Sequence, residues 1–326
     1  MPSPQIGFLL PTRERIMEGR PEASGLMDLA VEAEKLGYDS VWVGDSLTAR
    51  PRHEPLTLLA GVAARTARVT LGTAVLLPAL RNPVLLAHQV ATLDQVSEGR
   101  LVLGVGIAAD VRNVRAEFAS AGVPFEKRVG RLMEGLRLCR ALWSGKPVTW
   151  ESLWTLKDAT IAPTPFRSGG PPIWIGGNAP AAVERVGRSF DGWFPISPDA
   201  ALFASRWSEI KRVARDAGRD PAALTGAMYL TLSIDERKEK ADSRLDAFLE
   251  RYYSQPASVM RAGQAHYAGP IDGLAPWLKG YAEAGVSHFV LRFAGDTERQ
   301  FRLLPQVRAV LGWEASERRT SGSITN

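Results

Sequence analysis

The sequence has 326 residues, 45% of them hydrophobic, a formal net charge of +5 and one cysteine, Cys139. This length accommodates either one large α/β domain or two smaller ones. A single cysteine excludes an internal disulfide framework and any CxxC metal or redox motif, and its place among leucines on a predicted helix indicates a core residue.

The positive charge comes from arginines scattered along the chain, without a basic block interleaved with aromatic residues. This pattern argues against nucleic-acid binding and allows small anionic ligands. The first residues lack the features of a signal peptide, and no run approaches the roughly 20 apolar residues that span a bilayer. We therefore expect a cytoplasmic protein that does not bind a membrane.

Strand-like and helix-like segments alternate along the chain. Eight strands are predicted at residues 6–10, 40–45, 69–77, 101–107, 172–177, 191–196, 227–234 and 287–293. Helices are predicted at about 24–36, 55–64, 83–98, 125–143, 179–188, 202–217, 238–253, 273–284 and 298–310, with irregular connections at 12–23 and 108–124. The first of these helices has Ser24 as its predicted N-cap. Eight βα units fit a (β/α)8 TIM barrel better than an open doubly wound sheet.

The clearest unit is the strand, helix and strand between residues 69 and 107. Both strands lack polar alternation, so each is predicted to be buried on both faces, as in a parallel sheet covered by helices. Asn82 is a predicted N-cap before Pro83, and Gly99 is predicted to end the helix.

Residues 146–170 interrupt the alternation and are predicted to form an inserted β-hairpin or excursion on the surface. The predicted organisation is one barrel domain over residues 1–313, followed by a polar, disordered tail at 314–326. In such a barrel the catalytic face lies at the C-terminal ends of the strands, so the loops after the strands are expected to surround the site.

Small residues follow two of these strands. Gly104, Gly106 and Ala109 form a GxGxxA pattern, but no helix clearly begins at its third position. We therefore favour small residues that let the chain leave a crowded barrel mouth or let a flat ligand approach the backbone. Gly176, Gly177 and Asn178 stand between a strand and a helix, where backbone N–H groups can bind an anion, although a plain turn fits equally well.

Protein-derived chemistry of the usual kinds is absent from the sequence. The four histidines have no metal-ligand spacing, so no metal site is predicted, and neither HExxH nor GxSxG occurs. These absences favour a bound cofactor as the source of reactivity. Arg50, Arg52 and Arg81 follow predicted strands and suggest an anionic group on a substrate or cofactor, with solvated surface arginines as the alternative.

Four stretches together resemble the bacterial luciferase-like flavin-dependent oxidoreductases. They are WVGDS at 42–46, EPLTLLAGVAART at 54–66, the segment 68–107, and PPIWIGGNAPAAVERVGRSFDGWFP at 171–195. The resemblance is strong over residues 6–196 and weak beyond them. It implies a TIM barrel that binds reduced FMN or, in one branch, the deazaflavin coenzyme F420.

By matching position, the resemblance implies a non-prolyl cis peptide between Ala74 and Val75, against which the flavin ring would lean. It also implies that Gly106 and Ile107 run beside the ring, that the segment from Gly176 through Gly177 to Asn178 contacts the phosphate, and that Asp45 adds a polar contact.

The sequence departs from the family at one position. Many members have a histidine directly after the acidic residue of the second strand, whereas this chain has Ser46, and a hydroxyl is a poor general base. The catalytic residue is therefore not identified from sequence; the candidates are Asp45, Ser46 and, if it reaches inward, His53.

The resemblance leaves three functional interpretations. The first is a monooxygenase that uses reduced FMN and O2 to oxygenate a small organic substrate, with a separate flavin reductase as a further partner. The second is an F420-dependent oxidoreductase that transfers a hydride, and the third is a flavin-binding barrel without catalysis. A homodimer is also expected, because the helices at 56–64 and 84–93 are apolar over more of their surface than one core-facing stripe requires. The alternative is that the hairpin around Trp150 and Trp154 covers these helices within one chain.

Overall fold

The computed structural model describes residues 3–196 and 199–313. Its strands are β1 (Gln5–Leu9), β2 (Ser40–Val43), β3 (Thr70–Thr73), β4 (Leu101–Val105), β5 (Val148–Glu151), β6 (Thr155–Ala159), β7 (Ile173–Ile175), β8 (Gly192–Trp193), β9 (Thr225–Ile234), β10 (His266–Gly269) and β11 (His288–Phe293). Strands β1, β2, β3, β4, β7, β8, β9 and β11 pair in that order, all parallel, and β11 pairs with β1. The predicted eight-stranded TIM barrel is confirmed.

Helices cover the outside of this barrel. They are α1 (Thr12–Met17), α2 (Ala23–Lys35), α3 (Pro55–Ala63), α4 (Pro83–Val96), α5 (Arg112–Ser120), α6 (Arg128–Leu142), α7 (Pro180–Ser189), α8 (Ala200–Asp216), α9 (Lys238–Tyr253), α10 (Ala257–Gly263), α11 (Ile271–Glu283), α12 (Thr297–Phe301) and α13 (Leu304–Leu311). Within residues 3–196 and 199–313, no helix combines the length and apolar character needed to cross a bilayer. The tail predicted at 314–326 lies outside the described residues.

Two predicted connections contain helices. Helix α1 lies where a loop was predicted; it has six residues and buries only Thr12, so it has no apolar stripe to detect. An ion pair of 2.8 Å between Arg15 and Glu298 holds it against α12. Helix α5 lies in the predicted connection 108–124, and its buried face includes a charged residue, Glu117, which interrupts the apolar pattern.

Three further details correct the predictions. Strand β10 was missed because it has four residues, and it pairs only with β9, outside the barrel order. Ser24 is not the N-cap of α2, which begins at Ala23 after Glu22. The last predicted helix is two, α12 and α13. In contrast, the Asn82 cap is confirmed, since its side chain accepts hydrogen bonds from the backbone N–H groups of Val84 and Leu85.

The excursion at 146–170 contains the predicted hairpin, formed by β5 and β6 in antiparallel pairing. The chain after β6 runs along α4, where His88 contacts the carbonyl oxygen of Ala162 and Gln95 donates to that of Thr164. Part of α4 is therefore covered from within the same chain.

The barrel interior is filled by aromatic side chains that lie over glycines. A Cβ atom at Gly7 or Gly72 would overlap the buried Trp42 side chain. The indole of Trp42 donates to Ser40 Oγ at 2.7 Å, and the same oxygen lies 2.7 Å from His288 Nε2. Burial lowers the pKa of His288 to about 3, so this ring is neutral within the packed floor of the barrel.

Candidate active site

A cavity of about 520 Å³ opens at the C-terminal ends of the barrel strands. The loops after β2, β3, β4, β7 and β8 form one side of it, and residues of β9, α9 and β11 form the other. This is the end of the barrel at which a site was predicted. The sequence-predicted residues that line it are Asp45, Ser46, Ala74, Val75, Gly106, Ile107, Gly176, Gly177 and Asn178.

One wall of the cavity is flat and apolar. The peptide between Ala74 and Val75 is cis, as the resemblance implies. The segment that follows is held by Leu76 N–H, which donates to Gly104 O at 2.8 Å, and by Gly106 N–H, which donates to Leu76 O at 2.9 Å. A Cβ atom at Gly106 would lie 2.5 Å from Val75 Cγ2, so only glycine lets these two segments lie side by side.

The segment after β7 forms a second wall. Gly177 has φ of +110°, which side chains rarely adopt, and its carbonyl oxygen accepts a hydrogen bond from Trp193 Nε1 at 2.9 Å. Helix α7 begins two residues after Asn178, and Arg185 from its middle also lines the cavity. Backbone N–H groups, a helix N-terminus and one arginine at this place can bind a phosphate.

Asp45 lies at the cavity but its carboxylate is engaged by the protein. Its Oδ2 accepts hydrogen bonds from Leu77 N–H at 2.9 Å and Arg81 Nη1 at 2.5 Å, and Arg81 Nη2 donates to Oδ1 at 3.1 Å. Arg81 also pairs with Glu54 at 3.1 Å. Asp45 therefore anchors the segment after the cis peptide, and both charges of the Asp45–Arg81 pair are compensated.

Ser46 is held by the buried carboxylate of Glu117. The same Glu117 oxygen accepts four hydrogen bonds, from Ser46 Oγ at 2.6 Å and from the N–H groups of Leu47 at 2.5 Å, Thr48 at 2.9 Å and Ala49 at 3.2 Å. Ser46 Oγ accepts in turn from the Arg50 N–H at 2.8 Å. The hydroxyl is thus committed to the structure of the 46–50 loop.

His53 lies away from the cavity wall. Its Nε2 is 2.7 Å from the carbonyl oxygen of Pro21, in the connection before α2. His53 does not join Asp45 and Ser46 around the cavity, and the inward orientation needed for a catalytic role is not observed.

The opposite side of the cavity is a group of arginines and tyrosines from loop 46–54, β9, α9 and β11. Arg292 is 2% exposed and donates to Thr231 Oγ1 at 2.8 Å, to Gln264 Oε1 at 2.7 Å and to Tyr253 Oη at 3.0 Å. Arg52 Nη2 donates to Tyr252 Oη at 3.0 Å.

This side of the cavity is positively charged. Within the part of the chain that the structure describes, Arg50, Arg52 and Arg292 form no ion pair with a carboxylate, and their hydrogen bonds go to neutral oxygens. One acidic residue, Glu14, interacts electrostatically with Arg292 and Arg52. Burial raises the pKa of the Glu14 carboxyl, and the two arginines lower it. Several guanidinium groups with one carboxylate near them leave a net positive charge at the cavity, which favours an anionic ligand.

A family model for luciferase-like monooxygenases matches residues 4–290 of the chain. The chain belongs to this family. Its curated relatives include the F420-dependent glucose-6-phosphate dehydrogenase of Nakamurella multipartita, 33% identical over 89% of this chain and 94% of that one. The enzyme of the same name from Kineococcus radiotolerans is 32% identical over 85% and 89% of the two chains.

Solved structures share the barrel. An F420-dependent secondary alcohol dehydrogenase in complex with an F420-acetone adduct aligns with a TM-score of 0.80 at 22% identity, over 95% of this chain and 99% of that one. A monooxygenase from Streptomyces bottropensis aligns with a TM-score of 0.78 at 22% identity, over 94% and 97%. These likenesses support the fold. As a luciferase-like family member, the protein is a flavin-type oxidoreductase.

On the arginine and tyrosine side of this luciferase-like site, sequence reasoning singled out Arg50 and Arg52 and missed the other residues. The residues concerned are Arg292, Tyr229, Tyr252, Tyr253 and Gln264. They come from the last third of the chain, where the family resemblance is weak. One signal was available: Arg292 is the charged residue in HFVLRF, a strand otherwise apolar after its first residue, and a charge there needs buried polar partners.

Proposed function

We propose that this protein is an F420-dependent oxidoreductase that transfers a hydride to or from a small anionic substrate. The observation that carries the proposal is the cavity itself, in which a flat apolar wall faces arginines that form no ion pair with a carboxylate among the described residues. Curated relatives that are 30 to 33% identical over 85 to 89% of this chain are F420-dependent dehydrogenases. These relatives favour F420 over the reduced FMN of the first interpretation.

The residues present fit a flavin-type coenzyme. The close approach of Gly106 to Val75 leaves a surface without projecting side chains, against which a planar ring can lie. The Gly176–Asn178 turn and Arg185 can hold the phosphate of the coenzyme's side chain. The rest of that side chain can pass the exposed Ile196 toward solvent. Bound F420 would supply hydride chemistry and, being a deazaflavin, would react poorly with O2.

The chain's own residues would bind and orient the reactants. Asp45 holds the apolar wall in place, and Glu117 holds the 46–50 loop. Arg50 and Arg52 present positive charge to the anionic group of a substrate, which sets its orientation relative to the wall. Phe194 and Ile107 add apolar surface that excludes water around the reacting carbon.

The coenzyme is tested by titration of the purified protein with F420, oxidised FMN and reduced FMN, followed by fluorescence. We expect micromolar or tighter binding of F420 and at least tenfold weaker binding of both forms of FMN. Preferential binding of reduced FMN would support the monooxygenase interpretation and its need for a separate flavin reductase.

The reaction is tested with glucose 6-phosphate, lactate and 2-propanol as probes, each mixed with oxidised F420. Loss of the F420 absorbance without O2 consumption supports hydride transfer, and we expect the two anionic probes to exceed 2-propanol in kcat/KM. O2 consumption in step with substrate would contradict hydride transfer, and F420 binding without turnover of any probe would favour the non-catalytic barrel.

A further inference from the structure

Reduction of a carbonyl by hydride also requires a proton, and the usual position for a proton-transferring histidine holds Ser46, whose hydroxyl is committed to Glu117. We propose that Tyr252 is the catalytic proton donor and that Arg52 is its positioning residue. This inference rests on the proposed hydride-transfer function, and it assigns the proton step to residues outside the motifs that define the family resemblance.

Two hydrogen bonds and a close contact with Gly44 hold the Arg52 side chain at the apolar wall. Its Nε donates to Arg50 O at 3.1 Å and its Nη2 to Tyr252 Oη at 3.0 Å. Its Nη1 lies against the Cα of Gly44, so that a Cβ atom at Gly44 would overlap it, and the same Cβ would lie 3.4 Å from Ala74 O. The guanidinium therefore lies beside the cis peptide, and it places the Tyr252 hydroxyl at that end of the cavity.

Tyr252 lies among three arginines and one carboxylate, that of Glu14, which interacts electrostatically with all three. Its side chain is 5% exposed, and the Cζ atoms of Arg292, Arg13 and Arg52 lie 4.8, 4.9 and 5.9 Å from the ring centroid. None of these three arginines forms an ion pair with a carboxylate in the ranges that the structure describes. Nearby cations stabilise the charged form of an acid, so a phenolate left on Tyr252 after proton transfer would be compensated without rearrangement.

The hydroxyl is also oriented for donation. Tyr252 Oη accepts from Arg52, and no hydrogen bond given by Tyr252 to another group is present among the described residues. Because the oxygen's lone pair already faces Arg52, its hydrogen is available to a ligand in the cavity that Tyr252 lines. Helix α9 ends at the next residue, and Ser254 in the left-handed region (φ 53°) terminates it.

The other phenols of the cavity fit less well. Tyr253 accepts from Arg292, a residue already shared with Thr231 and Gln264, and among the described residues two arginines, Arg50 and Arg292, lie over its ring. No guanidinium donates to the Tyr229 hydroxyl among the described residues, and Arg292 lies 5.3 Å from the centroid of its ring.

In the reducing direction, bound reduced F420 would supply the hydride that forms a C–H bond at the carbonyl carbon and would become oxidised F420, while the electrons of the C=O π bond move onto oxygen. That oxygen takes the proton of Tyr252, so that the Tyr252 O–H bond breaks and an alcohol O–H bond forms. The phenolate is reprotonated from solvent, and the reverse sequence oxidises the alcohol.

The test compares Tyr252→Phe with Tyr267→Phe, a matched control whose hydroxyl donates to Pro270 O outside the cavity. F420 binding is measured by fluorescence titration, and turnover with lactate or glucose 6-phosphate and oxidised F420. We expect Tyr252→Phe to keep the F420 Kd within threefold of wild type and to lower kcat by about 100-fold or more, as for loss of a general acid or base. Tyr267→Phe should match wild type in both measurements.

Arg52 is tested by its effect on pH dependence. In Arg52→Gln the alkaline limb of the rate of pyruvate reduction by reduced F420 should move to higher pH, because the phenol then ionises without the cation. Arg52→Lys should restore part of the shift. Gly44→Ala, which displaces Arg52 without removing its charge, should lower kcat more than it changes the F420 Kd. If Arg52 had only a structural role, its replacement would leave the alkaline limb of the pH profile unchanged.

A Tyr252→Phe kcat within threefold of wild type, with an unchanged F420 Kd, would overturn the assignment, as would an alkaline limb in Arg52→Gln that matches wild type. Absence of F420 binding in wild type would instead refute the proposed function.

Discussion

Replacement of Glu117 by glutamine should loosen the 46–50 loop and weaken the site with it. The Glu117 carboxylate is 1% exposed, and one of its oxygens accepts three short hydrogen bonds of 2.5 to 2.9 Å and a fourth of 3.2 Å. A hydrogen bond to a charged group contributes about 1.5–3 kcal/mol, against about 1 kcal/mol for a neutral one. Loss of the charge over three good bonds therefore costs about 3 kcal/mol.

That loss is large enough to measure by thermal unfolding. For 326 residues the unfolding entropy near the midpoint is about 0.7 kcal/mol/K, so about 3 kcal/mol lowers Tm by about 4 °C. Because the loop carries Arg50 and Arg52, which face the anionic substrate in the proposed function, the KM for glucose 6-phosphate should rise about tenfold. The control is Glu126→Gln, whose side chain is 73% exposed and pairs with Arg115 at the surface; its effect should be below about 0.5 kcal/mol. A Glu117→Gln protein as stable as this control would refute the anchoring role.

Further predictions follow from His288, Gly106 and the outer helices. The pKa of His288 is about 3 in the folded chain and about 6.5 when unfolded, so between these values the unfolded state binds one more proton. The free energy of unfolding should therefore fall by about 1.4 kcal/mol per pH unit below pH 6.5. In urea titrations at pH 7 and pH 5, His288→Gln should lose this part of the pH dependence. Gly106→Ala forces Val75 to move and should weaken F420 binding about tenfold, whereas Gly130→Ala, with no atom within 4 Å of the added Cβ, should leave binding unchanged; equal Kd values would contradict the ring-facing wall. We also propose a homodimer through α3 and α4, where Leu85 is 64% exposed. Light scattering should give twice 35.5 kDa for wild type and for the control Ala201→Glu, and 35.5 kDa for Ala64→Glu. A monomeric wild type would exclude the dimer.

The parts of the fold that were predictable share a physical cause. Buried parallel strands are continuous apolar runs, and caps such as Asn82 with Pro83 have strong local preferences, so the barrel and its main helices could be derived from sequence. Helix α1 and strand β10 could not, because each is short and owes its conformation to tertiary contacts such as the ion pair between Arg15 and Glu298.

The site was predictable where the family resemblance is strong and, for Arg50 and Arg52, in the loop after β2. Ala74, Val75 and Gly106 follow strands within the segment of strongest resemblance, and the cis peptide lies where that resemblance implies. The contact of Glu117 with Ser46 joins residues 71 positions apart, and the contact of Arg52 with Tyr252 joins residues 200 apart. Neither pair has a local pattern, since each depends on how separate βα units are arranged around the barrel mouth.

The engagement of Asp45 by Leu77 and Arg81 bears on how the protein would select a ligand. A wall that is fixed by a buried carboxylate during folding does not need to be ordered when a ligand arrives, so little affinity is lost to conformational change. A rigid surface also cannot adapt to a ligand of another shape. Discrimination at this wall should therefore appear in dissociation rates of planar ring systems, with association rates that are similar for all of them.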